Sequence, residues 1–331
     1  MIVSRAPLRF SLGGGGTDLP AYYQRFGGFV VSAAIDRYVY VTANKRFYDD
    51  IRLSYSETEI VSSVDSVRHR IFREALKMTG IERGIELTSV ADLPANSGLG
   101  SSSSFTVALL NALHTYKREF VSSQRLAEEA CELEMVRLGD PVGKQDQYIS
   151  AYGNVTALTI EPSGAVSVEP VPVSAQALDE LEHNLLIAYS GIERPARTVL
   201  SEQSKRVQDG DPNSLARMQR IQEIGREVYR LLSRGSIDEY GALLHEHWQS
   251  KRGLASTVSE PRLDEYYEAA RRKGALGGKL MGAGGGGFFM FYVRPEARRQ
   301  VWEELLRLGL RLLPFRFDMD GARIVANLHK S

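Results

Sequence analysis

Cysteine is almost absent. Cys131 stands alone among 331 residues. No internal disulfide can form, which fits a reducing compartment, and a cytoplasmic protein is expected. An excess of either charge is also absent, with Lys plus Arg and Asp plus Glu at 41 each. That balance gives no general attraction to nucleic acid or to an anionic membrane surface. No apolar run approaches the ~18 residues of a membrane span. The longest, around Phe288 to Val293, is strand-sized. The opening MIVSRAPLRF lacks the apolar core of a signal peptide, and no low-complexity tail is visible. Apolar and charged fractions of 43% and 25% are ordinary for a soluble globular chain. The length suits two domains with ample core.

What the sequence has in quantity is clustered glycine. Three stretches stand out: SLGGGGTDLP at Ser11 to Pro20, PANSGLGSSSS at Pro94 to Ser104, and KLMGAGGGGFF at Lys279 to Phe289. The second is the organising one. Ile85, Leu87 and Val90 alternate with polar residues before it, and Phe105, Ala108, Leu109, Ala112 and Leu113 follow at helical spacing. The local plan is strand, glycine-rich turn, helix. Free N–H groups and the dipole at a helix start attract anions, and glycines let the backbone approach them closely. One serine before a helix is an ordinary cap. G-x-G followed by four serines points instead to phosphate. It is not a Walker loop, since no lysine follows Gly100, nor a Rossmann loop, since the third position is Ser103.

Along the chain, strands are expected at Ile2 to Ala6, at Phe29 to Ile35 and Tyr38 to Ala43 around a turn at Asp36-Arg37, and at Ile51 to Tyr55. Helices are expected at Val64 to Met78, Phe105 to Tyr116 and Gln124 to Leu138. A hairpin follows at Val155 to Val171, then a connection at Glu169 to Ser174 and a strand at Leu185 to Tyr189. Helical patterns cover Pro195 to Arg234, with a break near Gly210 to Pro212, then Ser236 to Gly253 and Arg262 to Arg272. The strand Phe288 to Val293, the helix Pro295 to Leu308 and strands at Leu312 to Phe317 and Ala322 to Asn327 close the order. It suggests an α+β class rather than regular βαβ alternation.

PANSGLGSSSS resembles the second motif of the GHMP kinases, usually P-x-x-x-G-L-G-S-S-[AGS]. The two other glycine stretches resemble the first and third motifs of that family, so the likeness spans nearly the whole chain. It implies a two-domain α+β fold, with a ribosomal S5-like N-terminal domain over 1–176 and a ferredoxin-like C-terminal domain over 177–331. The site would lie in the cleft between them. It also implies ATP and Mg²⁺, with Pro94, Asn96, Ser97, Gly98, Leu99, Gly100, Ser101, Ser102 and Ser103 at the nucleotide's phosphates.

Within that frame Arg9 falls at the family's cationic position, where a guanidinium would stabilise charge in the transition state. The stretch Gly139 to Gln147, GDPVGKQDQ, resembles the family pattern G-x-x-x-G-x-x-D-Q and makes Asp146 the catalytic carboxylate. Lys144 beside it is a candidate charge partner. Ser102 and Glu134 match the family's Mg²⁺ ligands. The sequence does not separate Ser101 and Ser103 from Ser102, and Glu128, Glu129 and Glu132 compete with Glu134. Gly14, Gly15, Gly16, Thr17, Asp18, Gly143, Gly284 and Gly285 are expected at the acceptor.

The segments SRAPLRFSLGGGGTDLPAYY, GGFVVSAAIDRYVYV and LGGKLMGAGGGGFF look like the subfamily acting on D-glycero-D-manno-heptose 7-phosphate. The implied reaction phosphorylates the anomeric hydroxyl to give the 1,7-bisphosphate. Such an acceptor needs a second cationic pocket, for which Arg194 and Arg197 are candidates and Lys279 a further one. The competing readings are a kinase of another sugar, such as L-fucose or galactose, and a non-catalytic regulator of the same fold. Arg9, Ser102, Glu134 and Asp146 together argue for an enzyme. Expected partners are a small sugar phosphate, with no nucleic acid and no membrane. Whether the protein forms a homodimer is left open by the sequence.

Overall fold

In the computed structural model, which describes residues 1–94, 97–193 and 196–328, strand β1 (Ile2–Gly13) runs antiparallel to β2 (Gly28–Lys45). Helix α1 (Pro20–Phe26) joins them. β2 spans 18 residues and divides its other edge between two partners. Gly28 to Ala33 pair with β6 (Val155–Ile160), and Val39 to Lys45 pair with β5 (Ile85–Ala91). The sheet continues from β5 to β3 (Ile51–Ser54) and β4 (Thr58–Val61), and from β6 to β7 (Val166–Pro170).

The expected turn at Asp36-Arg37 is not a turn. β2 runs straight through it, and the register jumps from Pro7–Tyr38 to Leu8–Ile35. The two charged residues form a bulge that leaves the β1 ladder and bonds elsewhere. Asp36 N donates to the Arg316 carbonyl at 2.9 Å, and Arg316 N donates to Asp36 Oδ1 at 2.9 Å.

Helices α2 (Arg70–Thr79), α3 (Ser101–Tyr116), α4 (Ser123–Cys131) and α5 (Gln145–Tyr152) form one layer on this sheet. α3 is its axis. Residues from Thr106 through His114 are all buried, because α2, α4 and α5 flank the helix while β1 and β2 lie beneath it. The expected single helix Gln124 to Leu138 is broken in kind. It is α-helical to Cys131 and then a π-helical turn, Glu132–Arg137. Such wider turns re-aim side chains and recur at functional sites. Here the turn carries Glu134.

The second sheet has the order β11 (Arg311–Leu313), β8 (Leu185–Tyr189), β10 (Phe288–Val293), β9 (Ala275–Leu280), with every pair antiparallel. In chain order that is 4-1-3-2, the ferredoxin-like arrangement. α6 (Ala175–Asn184) leads into it. Its first crossover is enlarged to four helices: α7 (Ala196–Gln208), α8 (Pro212–Ser233), α9 (Tyr240–Arg252) and α10 (Pro261–Arg272). α11 (Pro295–Arg307) makes the second.

β9 was hidden in the glycine-rich run. Its glycines serve packing, since a Cβ at Gly277 would lie 1.9 Å from the Gly241 carbonyl of α9. The expected division at 176/177 falls inside α6, and the chain re-enters the first sheet through β12 (Arg323–Asn327), which pairs with β1.

The two halves share one apolar core. Leu8, Phe10 and Leu12 of β1 and Phe29, Val31 and Ala33 of β2 meet Ile224 and Val228 of α8, Ile187 of β8 and Met290 of β10. This joint packs the two walls of the cleft against each other. Among the described residues no helix is long and apolar enough to cross a membrane.

Candidate active site

A cleft of about 350 Å³ opens between the halves. Arg9 lies at its floor, 3% exposed. Its Nε and Nη2 donate to Asp146 Oδ1 and Oδ2 at 2.7 and 2.6 Å, a fork on both carboxylate oxygens. Nη1 donates to the Gly98 carbonyl at 2.7 Å. One side chain therefore ties β1, the start of α5 and the glycine loop into a single rigid group. Ser104 reinforces it. Its hydroxyl donates to the Pro7 carbonyl at 2.8 Å and lies 2.8 Å from the Ser150 hydroxyl.

The phosphate-loop expectation meets a helix start. Gly100 caps α3 with φ 79°, a left-handed conformation that L side chains rarely adopt. Ser104 N donates to the Gly100 carbonyl at 2.9 Å, so the N–H groups of Ser101 to Ser103 begin the helix without intrahelical acceptors. No acidic residue lies in that first turn. An anion there meets N–H dipoles and hydroxyls, with the carboxyls of Glu134 and Asp146 nearby.

Glu134 is 3% exposed. It accepts from Thr106 Oγ1 at 2.6 Å, Ser103 Oγ at 2.8 Å and Gln147 Nε2 at 2.6 Å. Burial raises its carboxyl from 4.5 to about 7, against the pull of those three donors. Ser103 is thus the serine in contact with Glu134, whereas Ser102 is exposed and lines the cleft. Because the folded-state value is raised, Glu134's contribution to stability is full below about 4.5 and lost as pH rises through about 7. The group is buried, so the loss is of the order of 3 kcal/mol. The ligand-free protein is expected to melt lower at pH 8 than at pH 5.5 through this group. Glu134→Gln should flatten that part of the profile; an unchanged slope in thermal melts would contradict the assignment.

Asp18 sits opposite. It is buried and accepts from Gly16 N at 3.0 Å and Gln145 N at 3.1 Å. Burial lifts its carboxyl above the usual range, opposed by the Gln145 N–H and reinforced by the charge of Asp146. Gly143 must be glycine, because a Cβ there would lie 1.9 Å from Asp18 Oδ2.

Gly15, Gly16, Ser97, Gly98, Gly100, Ser101, Ser102, Ser103 and Arg197 also line the cleft. Other expected residues have different positions. Thr17 is buried and bonds to the Gly14 and Phe29 carbonyls, holding the first loop from behind. Leu99 belongs to the core, and its carbonyl accepts from Arg9 N. Pro94 is exposed and outside the cleft lining. Gly284 and Gly285 pack on Val258, while Gly282 and Ala283 line the cleft. Lys144 turns away to the Gly164 carbonyl, with Tyr23 beside it, so it is no charge partner of Asp146. Asn96 and Arg194 lie outside the described residues.

Sequence reasoning missed three contributors, Arg70, His247 and Lys251, and named Arg197. Arg70 and Arg197 both approach Asp140 at the rim, at 3.4 and 3.5 Å. His247 and Lys251 reach the wall from α9. Their one signal was a pair of basic residues four apart, on one helix face, in an otherwise apolar stripe. Lys251 donates to the Leu280 carbonyl at 3.0 Å and to the Gly282 carbonyl. Burial, with the nearby Arg9 charge, lowers its ammonium to about 7.

Comparisons with known proteins agree with this geometry. The GHMP kinases N terminal domain matches residues 65–154, and the GHMP kinases C terminal domain matches residues 228–309. The D-glycero-alpha-D-manno-heptose 7-phosphate kinase of Campylobacter jejuni is 28% identical over 97% of this chain and 98% of that protein. An L-fucokinase/L-fucose-1-P guanylyltransferase of Bacteroides fragilis is 28% identical over 91% of this chain but only 35% of that longer protein. Among solved structures, a D-glycero-D-manno-heptose 1-phosphate kinase from Bacteroides thetaiotaomicron superposes with a TM-score of 0.83 at 25% identity, covering 99% and 100% of the two chains.

Proposed function

The chain belongs to the GHMP kinases and is an ATP-dependent sugar kinase, and from that premise we propose that it phosphorylates the anomeric hydroxyl of D-glycero-D-manno-heptose 7-phosphate. The observation that carries the chemistry is the Arg9–Asp146 fork beside the start of α3. Phosphoryl transfer asks for positioning and charge neutralisation more than for covalent help. The N–H groups of Ser101 to Ser103 hold the transferring phosphate end of ATP. Asp146 orients the acceptor hydroxyl and takes its proton as the new P–O bond develops. Arg9 fixes Asp146 and offsets the charge building between the two substrates. Asp18, anchored by two backbone N–H groups, accepts from sugar hydroxyls.

Mg²⁺ suits the donors present. Ser102 and Glu134 both line the cleft and offer a hydroxyl and a carboxyl, the latter also accepting from Ser103, Thr106 and Gln147. That donor set fits a hard cation bound with phosphates and water. When bound, Mg²⁺ would neutralise phosphate charge. Ser102→Ala is expected to raise the Mg²⁺ concentration needed for half-maximal rate. An unchanged Mg²⁺ titration would move the role to Ser101 or Ser103.

The substrate assignment rests on the named relatives and on the opening motif, and acceptor profiling tests it. ADP release would be measured with D-glycero-D-manno-heptose 7-phosphate, the corresponding 1-phosphate, mannose 6-phosphate, L-fucose and galactose. Preference for the 7-phosphate supports the reading. Preference for the 1-phosphate or for an unphosphorylated sugar keeps the kinase and overturns the acceptor.

A further inference from the structure

We propose that Lys279, Lys251 and His247 form a phosphoryl-binding subsite in the cleft wall, distinct from the N–H groups that begin α3. The inference rests on the chain being a kinase of a phosphorylated sugar, and it names the groups that meet a phosphate.

Burying a cation without a partner costs several kcal/mol, and these three are buried together. Lys279 is 2% exposed, Lys251 8% and His247 1%. Lys279 stands on β9, opposite Met290, and lines the cleft. The charges that act on it are those of Lys251 and Arg9, both positive. Lys251 has two carbonyl acceptors but, among the described residues, no carboxylate. His247 lies one turn earlier on the same face of α9, and neither ring nitrogen has a hydrogen-bond partner among the described residues. The hydroxyl of Ser11, also on the cleft, is unpartnered too.

Asp146 cannot supply the balance, because Arg9 already holds both of its carboxylate oxygens. Buried donors without acceptors are uncommon and mark a missing partner. A phosphate dianion provides both what the cluster lacks, negative charge and several acceptor oxygens. In the ligand-free protein, burial and the neighbouring cations push both lysines toward their neutral forms. Binding of the anion therefore draws protons onto them from solvent.

The wall touches the phosphate loop. Gly282 packs on Gly98, and a Cβ added at Gly282 would lie 2.7 Å from the Gly98 Cα. Two phosphoryl groups can reach such a place: the acceptor's own phosphate ester, or the group leaving ATP. Lys279→Met and Lys251→Met separate them; both keep the apolar stem volume, but Lys251→Met also removes the donor to the Leu280 and Gly282 carbonyls, so melting temperatures are read beside the kinetics and Lys279→Met is the cleaner variant. Each variant is assayed with D-glycero-D-manno-heptose 7-phosphate and with the dephosphorylated heptose. Occupancy by the acceptor's phosphate raises KM about tenfold or more for the phosphorylated sugar alone. Occupancy by the transferring group lowers kcat by a similar factor for both sugars and leaves KM in place. Retention of both parameters within about twofold in both variants overturns the subsite.

If wild type turns over neither sugar, the acceptor assignment fails and calorimetry decides the subsite by itself. Inorganic phosphate is titrated into wild type and Lys279→Met in two buffers of different ionisation enthalpy. Buffer-dependent proton uptake in wild type that is lost in the variant supports the subsite. Equal behaviour of the two proteins, or no binding, overturns it.

Discussion

Asp146→Asn should lower kcat by roughly two to four orders of magnitude, the range of a positioned general base, while the dissociation constant for ATP stays close to wild type. The carboxylate does two things in this geometry. It would accept the acceptor proton, and both its oxygens are held by Arg9 at 2.7 and 2.6 Å. Asparagine keeps one acceptor and turns an NH₂ donor toward a guanidinium. Arg9, 3% exposed, then loses half its fork. Breaking a buried pair costs about 3–5 kcal/mol. The Asp146 side chain is 23% exposed, so solvent screens part of that, and only a modest fall in melting temperature should accompany the kinetic loss. Nucleotide binding survives because the N–H groups of Ser101 to Ser103 are set by Gly100 and do not depend on Asp146. A kcat within tenfold of wild type, in protein that melts normally, would remove Asp146 from proton transfer.

Gly143→Ala is expected to cut kcat/KM about a hundredfold or more, the scale of an ångström misplacement at a reacting group. The added Cβ would lie 1.9 Å from Asp18 Oδ2, 2.5 Å from Asp18 Cγ and 3.1 Å from the Asp18 carbonyl. Asp18 has nowhere to retreat, because Gly16 N and Gln145 N hold its two carboxyl oxygens. Displacing it shifts Gln145, and Asp146 follows directly in the chain. A double-mutant cycle checks the cause. In an Asp18→Ala background the same Gly143→Ala change should cost much less, since the two carboxyl contacts are gone and only the 3.1 Å approach to the residue 18 carbonyl remains. Additive losses would show that Gly143 acts by another route.

Much of the fold was legible because its signals are local. β10 and β8 stand where their apolar runs predict, and the break between α7 and α8 falls at the Gly210 to Pro212 signal. The bulge in β2 was not legible. Asp36-Arg37 reads as a turn by composition, and only long-range bonds to Arg316 explain why the strand continues. The π-helical turn under Glu134 was equally invisible, because helical periodicity does not separate one wide turn from the next.

At the site, glycine motifs and the Arg9 and Asp146 positions could be read from the chain. Of the basic wall only Lys279 could. His247 and Lys251 sit in a helix whose pattern is otherwise core, and burial is a property of the assembled halves. The serine touching Glu134 was likewise a matter of helix rotation, which places Ser103 inward and Ser102 outward.

The pairing of β12 with β1 bears on how the molecule is made. Arg9 lies on a strand whose outer edge near Ile2 to Arg5 is completed by Arg323 to Asn327. Emerging from the ribosome, the first strand waits for almost the entire chain before that edge is satisfied. Until then it is an open template for mispairing. Late ribosomal stalling, or proteolytic trimming that removes β12, should leave a chain that has every active-site residue described here and yet aggregates. In chain order β12 is therefore the last partner that the first strand of the sheet receives.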